Sequence, residues 1–158
     1  MARRQVNSLQ EIKKDLVALD PTGVAAEGPW SVAQVLAHCA QSIEYSLIGF
    51  PLAKPGWFQA TVGKLVLGKF LRQGYMSHDL TAAIPGAPPP HEGDPRAALD
   101  RLIAAIDKFE AHDGPFAPHF AYGSVDKTRY GRVQAMHIAQ HLESFRPAAR
   151  SAAKGIAS

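Results

Sequence analysis

Residues 124–147 read "SVDKTRYGRVQAMHIAQHLESFRP", and the folding of this stretch decides the rest. Val133, Ile138, Leu142 and Phe145 recur at helical spacing and Pro147 stops the run, so a final helix is expected here. A step of four residues turns a helix by about 40° and advances it by about 6 Å. His137 and His141 therefore project from neighbouring turns of one face, and that face is the apolar one. A buried imidazole left without a hydrogen-bond partner costs on the order of 1–3 kcal/mol. Two on one apolar face are hard to satisfy within the protein, yet both can reach a single ion.

The other legible histidine lies upstream. In "GPWSVAQVLAHCAQSIEYSLIGFP" (28–51) Ser31 is a candidate N-cap, and Val32, Val35, Leu36, Cys39, Ile43 and Leu47 keep the 3.6-residue period as far as Gly49 and Pro51. His38 sits at the edge of this stripe, and Gln34, Gln41 and Tyr45 share its side of the wheel. If this helix neighbours the last one, His38, His137 and His141 can offer three nitrogens to a small divalent ion. A fourth position would stay open, as in catalytic zinc sites. Gln134, three residues before His137, is a candidate to support them.

Competing metal motifs are absent. Ile138 follows His137, so there is no H-E-x-x-H, and neither an E-x-x-H repeat nor C-x-x-C-H occurs. His78, His91 and His112 fall in or beside loops and are expected to be solvated. Cys39 is expected to be a small core residue and, as the single cysteine, can form no internal disulfide. Glu44 and Glu143 are assigned to solvated faces, which leaves no carboxylate base for the site.

Around these two helices the rest is organised by start and stop signals. Ser8 and Glu11 make a capping-box pattern for a helix over about 8–19, ended by Asp20-Pro21. "WFQATVGKLVLGKFLRQ" (57–73) has helical period despite Gly63 and Gly68, and its basic and aromatic residues could also serve a membrane surface or self-association. Residues 74–93, with "PGAPPP", carry no regular pattern. Asp94, Pro95 and Gly114 bracket a further helix. Nothing alternates with period two, so the expectation is an all-α chain. It forms one domain over 1–158, a four-helix bundle with an extra helix between the second and third main helices and a flexible tail over 146–158.

Composition narrows the function classes. The chain has 158 residues, is 46% hydrophobic and 20% charged, and carries a net charge of +3 that is spread and not clustered. That suits a folded globular protein and argues against nucleic-acid binding. No apolar run is long enough to span a bilayer and no secretory leader is legible at the start, so a cytoplasmic location is expected.

The segments "WSVAQVLAHCAQSIEYSLIGFP" and "HFAYGSVDKTRYGRVQAMHIAQHLESF" together resemble the DinB-like superfamily of metalloenzymes, and within it an uncharacterised subfamily. Trp30, His38, the "IEYSLIG" run, Gly123 and the His137/His141 pair match in order. The resemblance implies a four-helix bundle with His38, His137 and His141 as metal ligands, and zinc or nickel as the metal. It also places His119 in the histidine position of an H-P-x-F-G element, from which Phe120 and Tyr122 depart. Some superfamily members are thiol-dependent transferases or isomerases, so a low-molecular-weight thiol is an implied partner of a small-molecule substrate. The expectation is a metal-dependent enzyme, either a thiol-dependent transferase or a hydrolase. The alternative is a non-catalytic bundle that binds a small molecule or forms a homodimer, with an incidental metal.

Overall fold

The computed structural model describes residues 3–149. Helices dominate it: α1 (Leu9–Ala18), α2 (Val32–Ile48), the single turn α3 (Gly56–Phe58), α4 (Lys64–Gln73), α5 (Pro95–Ala111) and α6 (Lys127–Leu142). α1, α2, α5 and α6 each begin where a side chain can satisfy the free amides, whereas α4 continues from the preceding turn without a side-chain cap. Ser8 accepts from Glu11 at α1, Asp94 from Arg96 and Ala97 at α5, and Asp126 from Arg129 at α6. At α2 Ser31 and Gln34 form a reciprocal capping box. The Ser8 pattern closes differently, since the Glu11 carboxylate accepts from the Asn7 amide.

The middle helix runs from α3 to α4 through a π-helical turn, Gln59–Gly63. Gly63, at the end of that turn, is a point of close approach. A Cβ added there would stand 2.1 Å from the Ala121 carbonyl oxygen, so only glycine lets this helix approach the 119–123 loop so closely.

α2 packs along α5, α1 lies against α5 and α6, and α6 also touches α2 and α4. The core formed by these contacts joins Leu9, Ile12 and Leu16 of α1 with Leu36 and Ile43 of α2, Leu102, Ile106 and Phe109 of α5, and Ile138 of α6. A smaller apolar cluster, Leu67, Phe70, Met76, Tyr122, Val133 and Met136, fastens α4 to the other side of α6. No helix among the described residues is long and apolar enough to cross a membrane.

The all-α class holds apart from one small sheet, and one expectation about the end of the chain is corrected. A short antiparallel pair, β1 (Val24–Ala26) with β2 (Phe145–Pro147), sets Val24 opposite Pro147 and Ala26 opposite Phe145. The chain is thus mostly helical with a small sheet, and residues 145–147, expected to end a helix and open a loose tail, are a paired strand. The remainder of the expected tail, 150–158, lies outside the described residues. As expected, 74–93 contains no helix or strand.

A candidate metal centre

α2 and α6 bring His38, His137 and His141 together, each 9% exposed or less. Nitrogen atoms from the three rings all lie within 4.8 Å of one another. Nε2 of His38 and Nε2 of His137 are 3.2 Å apart. Two nitrogens held at 2.0–2.1 Å by one tetrahedral ion would be about 3.3–3.4 Å apart, so the spacing suits a shared cation. It also fits a single imidazole hydrogen bond, but that bond satisfies only one nitrogen of each ring. Nδ1 of His38, Nδ1 of His137 and Nε2 of His141 are buried without a hydrogen-bond partner among the described residues. Trp30, half-buried, closes one side, with its ring 4.9 Å from that of His38 and stacked 6.3 Å from that of His141.

Burial sets the protonation of these rings. It pushes His38 down to about 4 and His141 down to about 2, with like-charge neighbours adding to it, and holds His137 well below the ordinary histidine range. At neutral pH the three imidazoles are neutral and their lone pairs are free for a metal. The unfolded chain takes up these protons near pH 6.5 while the folded chain does not, so between pH 6.5 and about 4 stability rises with pH. The metal-free protein is therefore expected to lose about 2 kcal/mol per buried histidine between pH 7.5 and pH 5. Urea unfolding in the presence of a chelator measures it, and an unchanged midpoint would contradict the burial.

Beside His38 and His137 opens a cavity of about 260 Å³. Met76, Ile84, Tyr122 and Val133 give it apolar walls, and Lys54 is the one Lys, Arg, Asp or Glu lining it among the described residues. His119 lines it too. Its loop is closed by paired backbone hydrogen bonds with Gly123, both 2.9 Å, and Gly123 has a φ of 68° that favours glycine. Its ring stacks on Tyr122 at 4.2 Å, and burial drives its pKa down to about 3.

The other supporting residues fare differently. Gln134 lines the cavity, but its amide is bonded to Ser42, accepting from Oγ at 3.0 Å and donating to the carbonyl at 3.1 Å. Gln34, Gln41 and Tyr45 do not line it. Gln34 is consumed by the α2 capping box and by the Pro90 carbonyl, Gln41 holds the Pro88 carbonyl, and Tyr45 packs on Phe50. Being on the same side of a helix as His38 placed the two glutamines under the proline-rich loop, not in the cavity.

His78 is the correction of most consequence. Expected in solvent, it is half-buried and lines the cavity, its ring 5.0 Å from that of His137 and 5.4 Å from that of His141. Gln140, one residue before His141, anchors it through backbone and ring. The helical spacing of Gln140 and His137 was visible in the sequence, but nothing there indicated which loop residue Gln140 would grip. His91 is exposed as expected, whereas His112 is half-buried against Phe116 at the end of α5.

A family model described as "Protein of unknown function (DUF1569)" matches residues 2–148, and the chain belongs to that family. No curated protein and no solved structure matches it.

Proposed function

We propose that this member of the DUF1569 family is a metal-dependent enzyme in which His38, His137 and His141 hold one divalent ion, zinc or nickel, at the inner end of the cavity. The observation that carries the reading is the convergence of three buried, neutral imidazoles whose nitrogens lack enough protein partners. The resemblance of α2, the 119–123 loop and α6 to the DinB-like superfamily supports it, as does the packing of α1, α2, α5 and α6, which we read as a four-helix bundle. An ion bound there supplies Lewis acidity, lowering the pKa of water or of a thiol that it binds.

The chain's own residues set what else the site can do. The apolar walls exclude water from a small substrate, and Trp30 covers the imidazoles from the opposite side. With no carboxylate lining the cavity among the described residues, general-base activation of water by an acid side chain has no candidate. That favours a thiol as nucleophile, and hence thiol-dependent transfer over hydrolysis. Lys54 can pair with an anionic group on the thiol or the substrate.

Zinc-loaded and chelator-treated protein, each screened with low-molecular-weight thiols against small electrophiles and with small esters and amides, test the proposal. Turnover is expected only with metal and to be greatest with a thiol. Equal turnover by both preparations would overturn it. The non-catalytic alternative is favoured by one observation, the exposure of Trp57 (68%) and Leu65 (74%) on the middle helix, which suits self-association. A metal-independent dimer without turnover would support that reading instead.

A further inference from the structure

Two histidines outside the three-histidine cluster line the same cavity, and the protein backbone fixes them in opposite tautomers. The Gln140 side chain donates to the His78 carbonyl at 2.8 Å and accepts from the His78 amide at 3.1 Å. A backbone carbonyl can only accept and an amide can only donate, so the orientation of the Gln140 amide is not free. Its oxygen also faces Nδ1 of His78, so Nδ1 must carry the hydrogen and Nε2 is a bare acceptor. At His119 the logic reverses. The amides of Ala121 and Tyr122 both donate to Nδ1, at 3.1 and 3.3 Å, so Nδ1 is bare and the hydrogen sits on Nε2. Stacking on Tyr122 and Phe120 keeps that ring in place.

We infer that the cavity is a polarised binding site, with Nε2–H of His119 as the donor and Nε2 of His78 as the acceptor. Its ligand is a compact, largely apolar carbonyl compound that also bears an N–H or O–H group. The carbonyl oxygen accepts from His119 and the N–H or O–H donates to His78. The volume of about 260 Å³ and the apolar walls call for a small ligand. An aprotic ester of the same shape satisfies only one of the two rings, and a buried group left unpaired weakens binding about tenfold. The inference rests on the metal-centre reading only for the setting of the ligand, since the two tautomers require no ion.

Side-chain ¹⁵N NMR of the metal-free protein at neutral pH reads the tautomers directly. A bare Nδ1 with protonated Nε2 is expected for His119, and the reverse for His78. A Gln140→Met variant should lose the single tautomer at His78 while leaving His119 unchanged. Calorimetry on zinc-loaded protein then compares benzamide with methyl benzoate, which share ring and carbonyl but differ in the N–H. Wild type is expected to bind benzamide about tenfold more tightly, His78→Phe to abolish that preference, and His119→Phe to weaken both. The same tautomer at both histidines, or a wild type that binds the two probes equally, would overturn the inference. If zinc does not bind, the metal reading fails, and the NMR result still decides this one.

Discussion

A His137→Ala protein is expected to bind zinc at least ~100-fold more weakly than wild type, because losing even an outer partner of a metal ligand costs about 10–100-fold. His137 is the central member of the cluster. Its Nε2 faces that of His38 at 3.2 Å, and its ring lies 4.8 Å from that of His141 one helical turn on. Alanine leaves two donors on separate helices, and the remaining nitrogens cannot enclose an ion. The substitution should not unfold the metal-free chain, since it removes a desolvated imidazole whose Nδ1 has no partner among the described residues. Competition titration with a chromophoric chelator measures the loss. Equal affinity in variant and wild type would place the metal elsewhere.

The second large effect is on stability. A ligand that binds only the folded chain stabilises it by RT ln(1 + [L]/Kd), about 4 kcal/mol at a thousandfold excess over Kd. For a chain of this size that corresponds to a rise in melting temperature of about 8–16 °C. The gain is specific because an ion there would take up Nε2 of His141, buried without a partner among the described residues, together with the facing Nε2 atoms of His38 and His137. Melting curves with zinc and with a chelator should differ by this amount in wild type and by less than a quarter of it in His137→Ala. A similar rise in both proteins would indicate zinc at exposed sites, and no rise in wild type would remove the basis for a resident ion.

How far the sequence revealed this arrangement varies by element. α2 and α5 were legible because Ser31, and Asp94 with Pro95, mark their starts, and α6 because its apolar period runs on to the stop at Pro147. His38, His137 and His141 were legible for the same reason, since period places a residue on a face. Loops have no period, so His78 was misplaced in solvent although it lines the cavity. The glutamines went the other way. Gln34 shares the His38 side of α2, but the helix N-terminus and the proline-rich loop offer its side chain a nearer use than the cavity. β1 and β2 were beyond reach, because three residues are too few to show alternation and their pairing joins positions far apart in the chain. Gly63, which lowered the helical score of the middle segment, proved to be what lets that helix reach the Ala121 carbonyl.

X-ray absorption at the zinc edge, on wild-type protein carrying one equivalent of zinc, tests the central claim most directly. The account predicts three imidazole nitrogens at about 2.0–2.1 Å, falling to two in the His38→Ala protein. An oxygen-dominated shell with one imidazole or none, or a shell unchanged by that substitution, would contradict it.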